Sequence, residues 1–164
     1  MELCRSLALL TGSLGLVSIL IALSTDFWFV AAGPSFSLHS GLWPKFGTEV
    51  PGYIRVTQSL SILATLWGLL SVIFLIMSCI PSLSIRGHPF LASSIMAFAA
   101  AISAVVAMVV YTSERWNQPQ HSQIQTFFSW SFYLGWVSAV LWLCTGSLSL
   151  AAHCGRPRPG YDTL

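Results

Sequence analysis

Four long apolar runs, free of any charged side chain, predict an all-α membrane protein: a four-transmembrane-helix bundle joined by small, disulfide-free extramembrane loops. A helix needs about 20 apolar residues to cross the hydrocarbon core. Leu7–Thr25, Val56–Ile80, Phe90–Tyr111 and Phe132–Ala152 each meet that length, and all 7 Lys and Arg and all 5 Asp and Glu fall outside them. Only 7% of the chain is charged and 55% is hydrophobic, far from the balance of a soluble domain.

The first run follows Arg5 and precedes "VAAGP", which raises a cleaved signal peptide as the alternative. A signal's apolar region spans about 7–15 residues, shorter than this run, so a retained helix is expected. Residues 26–55 then form the longer loop, rich in turn residues and aromatics. The second run ends at the short Pro81–Pro89 turn, the third feeds a loop over 112–131, and the fourth leads into a polar tail over 153–164. One domain over 1–164 accounts for the whole chain.

Four spans place both termini and the Pro81–Pro89 turn on one side and the two longer loops on the other. Arg5, Arg86, Arg156 and Arg158 lie on the terminal side; Lys45, Arg55 and Arg115 lie opposite, with Asp26, Glu49 and Glu114. Cytoplasmic loops collect Lys and Arg, so this bias predicts cytosolic termini and extracellular or lumenal loops. The sole asparagine, Asn117, stands in "NQP", which is not a glycosylation acceptor.

Several functions are disfavoured by residue type. A net charge of +2, scattered along the chain, builds no basic face for nucleic acid. No ionisable group stands inside a span, as a transporter or proton relay would normally keep, which leaves a channel or transporter subunit as a weak reading. His39, His88, His121 and His153 sit on separate segments without ligand spacing, so no metal or other cofactor is expected. No carboxylate pair or nucleophile beside a base is spaced for catalysis, and an enzyme is not expected. Glu114 and Arg115 in "SERW" read as a solvated ion pair.

Close helix association in lipid relies on small residues. Ala97 and Ala101, with Val105, recur at four-residue spacing, as do Ala99, Ser103 and Ala107; Ser131, Gly135 and Ala139 repeat the pattern in the fourth run. These are expected packing faces and leave room for a homo-oligomer. Cys4, Cys79 and Cys154 stand near the terminal-side boundary, open to palmitoylation or present as plain interfacial thiols.

Trp28, Trp43, Trp116 and Trp130 flank the runs, where an amphipathic ring sits well at headgroup depth. That does not explain why "DFWF" is followed by Gly41-Leu42-Trp43 in mid-loop. A Trp just after the first helix and a Gly-Leu-Trp in the first extracellular loop resemble the claudin, peripheral myelin protein and epithelial membrane protein family. "WSFYLGW", Trp130–Trp136, resembles that family's start of the fourth helix. The resemblance implies a four-helix membrane protein with an extracellular sheet. The two cysteines the family carries after Gly-Leu-Trp are absent and the loop is short, which implies a reduced sheet. "MELCRSLALL", "IALSTDFWF" and "VYTSERW" resemble more closely a family member of cytotoxic lymphocyte granules. That implies a protein of a lysosome-related membrane, working with other granule membrane proteins in trafficking and exocytosis. An adhesion or barrier protein at the plasma membrane is the alternative.

The tail "RPRPGYDTL" places Tyr161, two residues and Leu164 in the form that clathrin adaptors bind as an added strand, with Gly160 before the tyrosine. Pro157 and Pro159 favour extended polyproline geometry. Eleven extended residues, at about 3.3 Å each, reach about 35 Å from the bilayer. A PDZ groove, a tyrosine kinase, or plain contact of Arg156 and Arg158 with anionic lipid are the competing fates of this tail.

Overall fold

The computed structural model describes residues 2–43, 49–80, 88–119 and 122–155. Its four helices are α1 (Glu2–Ser24), α2 (Gly52–Cys79), α3 (Pro89–Trp116) and α4 (Trp130–Cys154), each long and apolar enough to cross a membrane. α3 and α4 contain their predicted runs and extend beyond them at both ends, while α1 and α2 start earlier than theirs and stop one residue short, at Ser24 and Cys79. Charged or polar end turns are tolerated because they leave the hydrocarbon: α2 and α3 have 28 residues each, about 40 Å of helix against a core of about 30 Å. Thus α1 takes in Glu2 and Arg5, whose side chains pair at 3.9 Å, and α3 continues past Tyr111 through Glu114 and Arg115. Pro89 opens α3, where its missing N–H costs nothing.

α2 packs chiefly on α3, α1 on α4, and α3 on α4, with α1 and α2 meeting less extensively. The seams are small-residue seams. Ala97, Ala101 and Ala107 of α3 are buried, as are Ser131, Gly135 and Ala139 of α4. Ser103, expected on the same kind of face, is only half-buried. A four-residue step overshoots a 3.6-residue turn by about 40°, so the buried stripe of α3 passes instead through Ala97, Ala100, Ala104 and Ala107. Hydroxyls tie the seams together. Ser71 Oγ donates to the Ser93 carbonyl at 2.9 Å and Ser93 Oγ to the Ser71 carbonyl at 3.1 Å. Ser94 Oγ donates to the Gly146 carbonyl at 2.9 Å, and the Thr11 and Thr145 hydroxyls lie 2.9 Å apart. At mid-bundle Trp142 is fully buried against Gly68, where a Cβ would clash with the indole ring.

At one end of the bundle sits a three-stranded antiparallel sheet of order β2-β1-β3, with β1 Phe29–Ala32, β2 Ser37–Ser40 and β3 Gln125–Phe128. β1 and β2 form a hairpin closed by Gly33 N–H on the Phe36 carbonyl at 2.8 Å. β3 comes from the other long loop and pairs Phe29 with Phe128. The two loops expected on one face of the membrane are therefore hydrogen-bonded to each other, opposite the Ala8, Leu75, Phe90 and Ala152 cluster, against which Cys4 packs. All four cysteines are free, and the sheet is small, as a loop lacking the cysteine pair implies.

Candidate functional site

The end of α1 organises the sheet side of the protein. A helix leaves its last four carbonyls without intrahelical partners, here Ile21 to Ser24. In a membrane interface each unpaired carbonyl is costly. Thr25 Oγ1 donates to Ile21 at 2.8 Å. Trp28 Nε1 donates to Ala22 at 2.6 Å, and Trp43 Nε1 to Leu23 at 2.7 Å. The two tryptophans of the sequence motif thus cap neighbouring carbonyls of one helix end.

Trp28 is not the headgroup-depth ring that its position after the first run suggested. It is 1% exposed, its ring edge-on to Tyr111 at 5.2 Å and to Phe132 at 6.5 Å. Phe128 of β3 packs against the same cluster. Trp43 is 44% exposed and fits the interfacial reading while still making its bond; Trp116 and Trp130 are exposed.

Each residue of Gly41-Leu42-Trp43 has a separate task. A Cβ on Gly41 would lie 2.6 Å from Asp26 Cα and 3.0 Å from the Thr25 carbonyl oxygen, so only glycine lets the two loop strands come together there. Leu42 is fully buried in the cluster that contains Ala22, Trp28, Met108, Tyr111 and Phe132. Its carbonyl accepts from Gln58 Nε2 at 2.7 Å, which fastens the loop to the first turns of α2. Hydrogen bonds and burial thereby hold a loop that has no disulfide.

Arg115 contradicts the expected ion pair with Glu114: among the described residues the two form none. Its guanidinium carbon lies 4.4 Å from the centre of the Phe29 ring, 5.7 Å from that of Tyr111 and 6.0 Å from that of Tyr53. Nη2 donates to Ser40 Oγ at 3.3 Å. Arg115 therefore joins α3 to both strands of the hairpin and to α2, which adjacency to an acid in sequence concealed. Gln58, Tyr53 and Tyr111 were missed for the same reason, since each sits inside or beside a predicted span and only folding brings it to the loop.

A cleft of about 360 Å³ runs beside the Gly41 corner, lined by Asp26, His39, Glu49 and Arg115 among others. Its acids and its cation provide polar contacts. No group of three His, Cys, Asp or Glu side chains suited to a metal occurs among the described residues. Of the cysteines singled out, Cys79 and Cys154 are exposed and Cys4 half-buried, all at the end away from the sheet. Gly160, Tyr161 and Leu164 lie outside the described residues.

Known proteins place this geometry. Human Protein NKG7 is 72% identical over the full length of both chains, and the bovine protein of that name 66%. The human lens fiber membrane intrinsic protein is 27% identical over 148 residues, covering 85% of each chain. The family model described as PMP-22/EMP/MP20/Claudin matches residues 3–149. With four membrane-length helices, a small sheet and a Trp and Gly-Leu-Trp cap on α1, the chain belongs to the PMP-22/EMP/MP20/Claudin family of multi-pass membrane proteins.

Proposed function

We propose that this protein is a non-catalytic resident of lysosome-related cytotoxic granule membranes, where it supports granule trafficking and exocytosis. In this reading both termini are cytosolic and the sheet is lumenal. The observation that carries it is the tail: Tyr161, two residues and Leu164, preceded by Gly160 and by two prolines that favour an extended peptide. A clathrin adaptor takes such a peptide as a strand, with the tyrosine ring and the leucine in separate pockets. The sheet at the end opposite Cys4 and Cys154 supports the placement of the tail across the membrane from the sheet. The slight excess of arginine on the terminal side supports the cytosol as that side. The granule membrane itself is suggested by the chain's resemblance to a family member of cytotoxic lymphocyte granules. Other granule membrane proteins and the surrounding lipid are then its working partners.

The test is the steady-state location of an internally tagged chain in a granule-bearing lymphocyte, comparing wild type with Tyr161→Ala and Leu164→Ala. Lysosomal wild type with both variants shifted to the surface supports the tail as an address. Wild type and variants together at the plasma membrane would sink the granule reading and favour adhesion, for which the exposed residues of β2 offer a contact surface.

A further inference from the structure

A second cleft, of about 320 Å³, lies where α3 ends and α4 begins, against β3. That volume falls at the low end of small-ligand sites, about 300–1,000 Å³. It is lined by one cation, Arg115, and by no carboxylate among its described lining residues; Glu114, though next in sequence, is exposed and does not line it. Trp116, Phe127 and Tyr133 line it too and are largely exposed, Trp116 at 73%. Gln118 and Thr126 add polar groups.

Two observations fix the chemistry of an occupant. Arg115 is a guanidinium without a carboxylate partner among the described residues. Of its five N–H donors, one reaches Ser40 Oγ at 3.3 Å, while Nε is buried and makes no hydrogen bond. The guanidinium lines a cleft whose described lining residues include no carboxylate, and a cation so placed favours an anion as the occupant. The second observation is depth. α3 ends at Trp116 and α4 begins at Trp130, and exposed Trp and Tyr rings belong at headgroup level, which puts the cleft at that depth. An anion at that depth, flanked by Tyr133 in the first turn of a membrane helix, is a lipid headgroup.

We propose that this cleft binds the phosphate of an anionic phospholipid from the leaflet on the sheet side, with Arg115 as the phosphate contact and Trp116, Phe127 and Tyr133 seating the interfacial part of the lipid. The site is independent of the tail and of the compartment in which the protein resides. One bound headgroup would also hold α3, α4 and β3 together from outside, because all three line the cleft.

The experiment uses the full chain in nanodiscs of phosphatidylcholine containing a minor fraction of phosphatidylglycerol, with the protein-bound lipid measured by native mass spectrometry. Phosphatidylglycerol should be enriched on the wild type by about fivefold over its bulk fraction, the factor corresponding to about 1 kcal/mol for one basic group near anionic lipid. Gln118→Glu, an exposed change that places a carboxylate at the cleft, should bring the enrichment to near one. Arg115→Gln should do the same, and Arg115→Lys should keep part of it. Should Arg115→Gln fail to fold, Gln118→Glu and Arg115→Lys still decide the matter. Enrichment that survives Gln118→Glu overturns the site. Displacement of the lipid by millimolar inorganic phosphate would also overturn it, since a free anion would then be the ligand.

Discussion

Trp28 and Trp43, fifteen positions apart, donate their indole N–H groups to adjacent carbonyls of α1, Ala22 at 2.6 Å and Leu23 at 2.7 Å. The pairing explains in one stroke why the loop after a first membrane helix carries both rings. A helix that stops at the membrane surface exposes carbonyls that water satisfies poorly there. Two donors delivered by the following loop satisfy them and fold that loop back over the helix end. The same residues elsewhere in the loop would serve neither purpose.

Trp28 should be the more sensitive of the two. Trp28→Ala removes a buried ring from the Tyr111 and Phe132 cluster, which costs about 3–5 kcal/mol. Trp28→Phe keeps most of the packing and loses the hydrogen bond, about 1 kcal/mol. Thermal unfolding in detergent micelles should rank wild type, Trp28→Phe and Trp28→Ala in falling order. Equal losses for the two variants would show that the bond to Ala22, and not the packing, dominates.

Leu42 and Trp43 should separate in the same assay. Leu42→Ala opens a cavity in a fully enclosed site, about 2–5 kcal/mol. Trp43→Ala removes a half-exposed ring and one hydrogen bond, with a loss nearer 1 kcal/mol. A larger effect at Trp43 would mean that the loop is anchored through the interface and not through the core.

Gly68 and Trp142 form a lock at mid-bundle. Gly68→Ala drives a methyl group into the indole and should destabilise by about 1–3 kcal/mol or more. Adding Trp142→Leu should recover part of the loss, because the smaller side chain makes the room. A double-mutant cycle on micelle-solubilised protein reads the coupling directly, and additive losses would refute the contact.

The reciprocal Ser71 and Ser93 bonds predict non-additivity of the other kind. Either Ser→Ala change alone costs about 0.6–2 kcal/mol, the range for interhelical hydrogen bonds in membranes. The two hydroxyls also lie 3.0 Å apart, a contact that either change removes, so the second change adds less than the first. Full additivity would mean that the two hydroxyls act independently, each only through its bond to the carbonyl of the other helix.

Cysteine accessibility checks the orientation. In single-cysteine variants, Cys79 and Cys154 should react with a membrane-impermeant maleimide only after the plasma membrane is permeabilised, and Cys144, inside α4, should stay unlabelled. Labelling of Cys79 in intact cells would invert the topology. Hydroxylamine-sensitive acylation, if present, is expected at Cys4, Cys79 or Cys154 and not at Cys144.

The number of spans, their order and the sharing of one end by the two longer loops were legible in the sequence, because crossing a membrane is a local requirement: about twenty apolar residues without charge satisfy it whatever their neighbours do. The small-residue faces were legible for a related reason, although strict four-residue spacing let Ser103 into a stripe that the helix itself rotates away from the core. The Gly-Leu-Trp motif could be recognised but not explained from the chain alone. That Gly41 is needed because Asp26 passes against it, that Trp28 is buried among Tyr111 and Phe132, and that Arg115 lies over Phe29 instead of beside Glu114 were decided only when residues 26–43, 49–58, 111–119 and 122–133 came together. Those contacts depend on directions in space across loops and helix ends, where neither periodicity nor spacing constrains which side chains meet.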